Sequence, residues 1–455
     1  MAANSSRSTS ARVSFDAFPF WLFLLAVWIA YLLVPNNTAR KGLLIAASYF
    51  FYATWYAPYV LLLAAVTGAS YWVGAVARKG RHGKILLTGV WTSVALLAVA
   101  KGWLNPFPVG VSFYILQAIA YMIDCYRGYW TGNGLFDYAL HMSFFPRLTA
   151  GPIVRADQFL PQLAQRPRVN STDLWEALVL ICFGLFEKLV IADNLAVVVD
   201  PVFANLHTSA SRVLLATYGF ALQIYSDFSG YSNVAIGVAR LFGYKLPVNF
   251  NWPYLAANPA DFWRRWHISL SNWLRDYVYF SLPGLRSKSP VATYRNLCIT
   301  MLACGLWHGI GWPFALWGLY HGALLSGYHG FSSRHTGAPK RVSGFRALAS
   351  VLLMQQLAVL GWILFRVNHI ADLTPYAASL ATARFFTGFN SAEWMALVLL
   401  VCVGAFHLIA WRVPLTDIAM RQRWNPWVLT VLLVIAIATV TLGVSKQQVF
   451  LYFRF

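Results

Sequence analysis

Charge is scarce in this chain. Only 11% of its 455 residues are Asp, Glu, Lys or Arg, against roughly a quarter in a soluble domain, and that shortage excludes a water-soluble globular protein. Acid is scarcer still: 15 Asp and Glu stand against 35 Lys and Arg. Cysteine is confined to Cys125, Cys182, Cys298, Cys304 and Cys402. None forms a C-x-x-C pair, so neither a zinc site nor a disulfide framework is indicated, and buried structural thiols are the default reading. There is no G-x-S-x-G and no acidic residue near His308 that would make a triad, which removes the usual serine-nucleophile reading. No internal repeat and no soluble domain are visible.

What the chain has in abundance is apolar sequence, 59% of all positions. Phe18 to Val34, Ile85 to Ala100, Leu174 to Val199, Val351 to Val367 and Val428 to Val444 approach or exceed the roughly 20 residues that cross a bilayer. The runs are continuous and do not alternate at period two, so the spans are helical and not strands of a barrel. Aromatic residues crowd their ends, as in "ASYFFYATWYAPYV", where amphipathic rings suit the headgroup level. An all-α polytopic membrane protein is expected, with about ten to twelve spans from the apolar lengths. It reads as a single membrane-embedded domain over 1–455, with a polar tail over 1–16 and a motif-rich region over 140–330. The first apolar run follows the Ser-rich "MAANSSRSTSAR" without a clear cleavage site and reads as a retained helix.

The net charge of +20 has a plain explanation in basic cytoplasmic loops and need not imply nucleic acid. The clearest such loop is "ARKGRHGK", Ala77 to Lys84. Placing it in the cytoplasm puts Arg40 and Lys41 inside as well and the N-terminus outside, at the cost of leaving Arg7 and Arg12 on the outer side.

Chemistry is concentrated in the middle third. In "MSFFPRLTAGPIVRADQFLPQL", prolines and Gly151-Pro152 interrupt an apolar segment, as a re-entrant segment or a cytoplasmic-face loop would. Arg147 and Arg155 there could attract an anionic substrate or snorkel as anchors. Asp227 lies in a stretch that otherwise reads as a span, beside Ser226, Ser229 and Tyr231. An ionisable group there is a functional candidate, with a hydrogen-bonded tie between helices as the alternative. In "DFWRRWHISLSNWLRDYVYFSLPG", Phe262, Trp266, Leu270 or Trp273, and Tyr277 recur at helical spacing, with Arg264, Arg265, Asn272, Arg275 and Asp276 on the other face. That is an interfacial amphipathic helix, with Asp261 placed as its N-cap. His267, next to the stripe, reads on its own as a packed histidine.

The stretch "LWHGIGWPFALWGLYHG" carries His308 and His321. Thirteen residues at about 100° each leave the two imidazoles on nearly opposite sides of a continuous helix. Gly305, Gly309, Gly311 and Pro313 predict a break near His308, so that it sits where the chain bends and His321 belongs to the next helix. A neutral imidazole there suits general base work on a substrate hydroxyl, without a covalent protein intermediate.

Together these segments resemble the membrane-bound O-acyltransferase (MBOAT) family, and within it the bacterial alginate O-acetylation branch. The resemblance rests on "PVGVSFYILQAIAYMIDCYRG", "SFFPRLTAGPIVR", "GLFEKLVIADN", "IYSDFSGYSNVAIGVARLFGYKLPVNFNWPY", "DFWRRWHISLSNWLRDYVY", "LWHGIGWPFALWGLYHG" and the terminal "FLYFRF", in family order from about residue 108 onward. It implies a ring of tilted helices around a central tunnel, with His308 at the narrow point and His267 assisting from the cytoplasmic side. His321 has a structural role in that pattern. The implied reaction moves an acyl group, acetyl from acetyl-CoA, to a hydroxyl reached from the periplasmic side of the bacterial inner membrane. A periplasmic transferase is the implied partner and an exported polysaccharide the destination, with no bound cofactor and no metal. Arg147, Arg155, Asp227, Asp261, Arg264, Arg265 and Trp307 are the substrate-binding candidates. Where the family commonly ends in Gln-Phe, this chain has Arg454-Phe455, and its first dozen residues are unlike the short starts usual in the branch. The competing readings are carrier-protein-dependent acyl or D-alanyl transfer to an envelope polymer, and a transporter without catalysis.

Overall fold

A computed structural model of the chain describes residues 15, 17–80, 82–129, 134–284, 289–333, 344–381, 385–413, 415–423, 425–444 and 450–451. The polar N-terminal tail, apart from Phe15, and the terminal Arg454-Phe455 lie outside the described residues. The described residues form helices and connecting loops, with no strand among them. They divide into two compact units, one comprising residues up to Ile181 with Tyr231–Pro247, the other Cys182–Gly230 with Val248 onward.

Among the described residues, four helices are long and apolar enough to cross a bilayer: Tyr59–Gly80, Gly83–Trp103, Phe345–Arg366 and Ser391–Arg412. Phe18–Leu33 and Pro426–Leu442 are apolar but shorter. This is fewer than the count read from apolar lengths, because helices of the middle region are short or carry polar side chains. The run Leu174 to Val199 is an example. It is not one helix: Ser171–Phe186 gives way to a π-helical turn, Glu187–Ala192, before Asp193–Ala204. Such turns insert a residue into the helical ladder and re-aim side chains. Cys125 and Cys304 are buried as read, but Cys402 is exposed on the Ser391–Arg412 helix.

The first unit is built around Val111–Arg127, buried at every position except Ile123, Tyr126 and Arg127. A helix so largely apolar has little solvent face and belongs inside, with its few polar side chains, such as Gln117, paired within the protein. Gly110 starts it with φ +79, and a Cβ there would meet the Leu148 carbonyl oxygen at 2.2 Å, so only glycine permits this approach. Trp28 and Tyr31 donate to the Leu241 and Phe242 carbonyls at 2.8 and 3.0 Å, tying Phe18–Leu33 to the segment after Tyr231.

The second unit contains the hairpin of helices Pro290–His308 and Trp312–Ser333. Small residues let the two backbones meet, as is usual between helices in lipid. A Cβ on Gly305 would lie 2.1 Å from the Phe314 carbonyl oxygen, and one on Gly318 would lie 2.3 Å from that of Met301. The predicted break is present: the first helix ends at His308, Gly309 is extended, and the next helix begins at Trp312 with Pro313 in its first turn.

Candidate active site

His308 is therefore the last residue of its helix, 3% exposed, and His267 and His321 are buried as well. The three imidazoles alternate with two indoles. The Trp307 ring lies 6.0 Å from His267 and 4.8 Å from His308, both edge-on. The Trp317 ring lies 5.3 Å from His308 and 4.9 Å from His321. Phe365 closes against His308 at 5.1 Å. Within the second unit, then, His267 and His308 share one tryptophan, while a different tryptophan separates His308 from His321. Aromatic walls of this kind exclude water and fix ring orientation.

The segment carrying His267 differs from its expected form. It is not one amphipathic helix but two short ones, Pro259–Arg265 and Ile268–Tyr277, with His267 between them in the left-handed region at φ 41 and ψ 55. The stripe residues Phe262, Trp266, Leu270, Trp273 and Tyr277 are all buried, so the aromatic face meets protein. The N-cap is Asn258, whose side chain accepts from the Asp261 backbone N–H at 2.8 Å; Asp261 sits inside the first turn instead. There its carboxylate pairs with Arg265 at 3.0 Å and Arg264 at 3.5 Å. The His267 ring is held by Asn249, with Nδ1 and Oδ1 3.1 Å apart, and by the edge of Phe228 at 4.6 Å. Burial pushes the His267 pKa down to about 3, so the ring is neutral at physiological pH.

The remaining candidates fall elsewhere. Arg147, a candidate for attracting an anionic substrate or for anchoring at the surface, is instead fully buried in the first unit. Its guanidinium donates to Gln117 Oε1 at 2.6 Å and to the His141 carbonyl, lies 3.0 Å from His141 Nδ1, and stacks over Phe159. The short helix Phe145–Leu148 that follows Phe144 turns it inward. Arg155, also in the first unit, is half-buried at the start of helix Ala156–Ala164. Asp227 is taken up on both oxygens: Oδ1 pairs with Lys188 at 2.8 Å and Oδ2 accepts the Leu451 backbone N–H at 2.7 Å. Lys188 also meets Asp193 at 2.8 Å. These are the contacts of a tie between segments. The tie depends on Gly230, whose Cβ would lie 2.6 Å from the Gly184 carbonyl oxygen. Sequence reasoning passed over Lys188, Asp193 and Asn249; the signal available for the first two was a lysine and an acid five residues apart in an otherwise apolar run.

Among the described residues, which are helical with apolar helices of membrane-spanning length, the second unit thus gathers three buried imidazoles, one of them at a chain break. The family model of the membrane-bound O-acyltransferases matches residues 109–370. The chain is 35% identical over 421 residues to the "Probable alginate O-acetylase AlgI" of Azotobacter vinelandii, covering 86% of this chain and 82% of that one. It is 33% identical over 401 residues to the "Peptidoglycan O-acetyltransferase" of Helicobacter pylori, covering 76% and 74%. The "Teichoic acid D-alanyltransferase" of Bacillus subtilis is 28% identical over 282 residues, covering 56% and 71%. The chain belongs to the MBOAT family and is a membrane acyltransferase. The transporter reading falls with that assignment.

Proposed function

We propose that this enzyme transfers acetyl from acetyl-CoA on the cytoplasmic side of the bacterial inner membrane toward a hydroxyl on the periplasmic side, for O-acetylation of an exported polysaccharide. The observation that carries the reading is the pair His267 and His308, both buried and both against the Trp307 indole. His308 accepts the hydroxyl proton as the acceptor oxygen bonds to the thioester carbonyl carbon. The C–S bond then breaks, and CoA leaves as the thiol with that proton. A positioned base of this kind contributes about 10²–10⁴-fold, and alignment of the two substrates contributes further. His267 assists as a second imidazole, and Trp307 lines the donor's path between them. Arg264, with 68% of its side chain exposed, and Arg265 outnumber Asp261 in their turn, which supports attraction of a polyphosphate donor. Arg155, in the first unit, is a separate basic candidate for attracting an anionic donor. A periplasmic transferase that carries the acetyl onward is the partner this reading needs.

Similarity to teichoic acid D-alanyltransferases supports a second reading, in which a thioester-loaded acidic carrier protein is the donor. Incubating purified protein with acetyl-CoA and measuring free CoA thiol separates the two. Release above the rate of a His308→Ala control supports acetyl-CoA as donor; no release above that control, with consumption of a carrier-bound thioester, supports the second.

A further inference from the structure

His267 occupies a left-handed backbone conformation, φ 41 and ψ 55, that a residue with a Cβ rarely adopts, and one other residue supplies several of the contacts around it. Asn249, itself buried, accepts the Ile268 backbone N–H on its carbonyl at 2.9 Å. Its side-chain oxygen faces three groups: the Ser269 hydroxyl at 2.9 Å, the Ser269 backbone N–H at 3.3 Å, and His267 Nδ1 at 3.1 Å. A second rung, from the Asn251 backbone N–H to the Arg265 carbonyl at 2.9 Å, clamps the same two segments together.

These contacts fix the chemistry of the ring. A backbone N–H can only donate, so the Asn249 atom facing Ser269 is the oxygen and not the amide nitrogen. An amide oxygen can only accept, so His267 Nδ1 carries the proton. In a neutral imidazole Nε2 then holds the lone pair. We infer that Asn249 is the positioning residue for His267, locking its imidazole as the Nδ1–H tautomer in the left-handed turn so that Nε2 is the proton-accepting nitrogen. This rests on the proposed role of His267 in acyl transfer. An acceptor on Nδ1 also makes the ring more basic and prevents rotation, as outer partners do for functional histidines elsewhere.

The test is nitrogen NMR of the full-length protein with labelled histidine in lipid nanodiscs. The His267 signals are assigned by their loss in His267→Ala, and acetyl-ester formation in cells is followed alongside. The expected result is a protonated Nδ1 and an unprotonated Nε2 in the wild type. Asn249→Asp, which keeps the acceptor, retains that pattern; Asn249→Leu loses it, with a fall in turnover on the order of 10²-fold. A proton on Nε2 in the wild type overturns the inference without any variant. So does an Asn249→Leu protein that keeps both tautomer and turnover. Full turnover in His267→Ala, with the Nδ1–H tautomer present in the wild type, would instead remove the role proposed for His267.

Discussion

His308 and His321 lie on either side of a single indole: the Trp317 ring centroid is 5.3 Å from the first imidazole and 4.9 Å from the second. Of the three imidazoles in the site, the two nearest in sequence are thus walled apart, and the neighbour of His308 across Trp307 is His267. Different consequences follow for substitution at each imidazole.

His321 is packed between Phe262, Trp263 and Trp317, at 6.0, 5.2 and 4.9 Å between ring centroids, and against Gly361. A Cβ on Gly361 would lie 2.9 Å from His321 Nε2 and 3.2 Å from the Tyr320 ring. Gly361→Ala is expected to destabilise by about 1–3 kcal/mol through overpacking. Thermal unfolding in detergent checks this. A midpoint equal to wild type would mean that the helix faces part more easily than the packing implies.

Trp317→Ala removes the wall and leaves a cavity among His308, His321, Trp362 and Phe365. A core Trp truncation costs about 3–5 kcal/mol, and loss of His308 orientation should lower ester formation further. Trp317→Phe should recover most of the stability. Equal losses from both variants, measured by thermal unfolding and ester content, would count against a packing role.

How much of this was legible beforehand can be read residue by residue. The break after His308 was visible because Gly309, Gly311 and Pro313 are local signals, and the buried stripe Phe262, Trp266, Leu270, Trp273 and Tyr277 was visible because it keeps a helical period. The left-handed turn at His267 was not, since the stripe continues across it and no glycine or proline marks it. What holds that turn is Asn249, in another segment. Asp261 was misplaced as the N-cap because Asn258 stands three residues earlier, before Pro259, a better start signal. Arg147 resembled a surface anchor because its acceptors, Gln117 and the His141 carbonyl, lie in other helices. The π-helical turn at Glu187–Ala192 leaves no compositional mark in an apolar run.

Asp227 is expected to matter for folding more than for turnover. Asp227→Ala leaves the Leu451 N–H without this acceptor and takes one carboxylate from Lys188, which keeps its contact with Asp193. Removing one member of a buried ion pair typically costs about 3–5 kcal/mol. Asp227→Asn, which keeps an acceptor, should lose less. The yield of monodisperse protein on size exclusion, followed by thermal unfolding, reads this out; a stable Asp227→Ala protein lacking only activity would return Asp227 to the substrate site.

His267→Ala should leave the fold largely intact and reduce ester formation partly or severely, by up to about 10²-fold. The comparison to make is turnover at saturating and at limiting donor. Unchanged values in both regimes would make His267 a packed histidine and nothing more.

The central claim is that His308 is the base, and acetyl-ester content of the exported polysaccharide in cells carrying His308→Ala tests it most directly, with membrane insertion and monodispersity of the variant verified in parallel. The account predicts an inserted, folded protein and no acetyl esters above the level of a deletion strain. Wild-type ester content in that variant would contradict it.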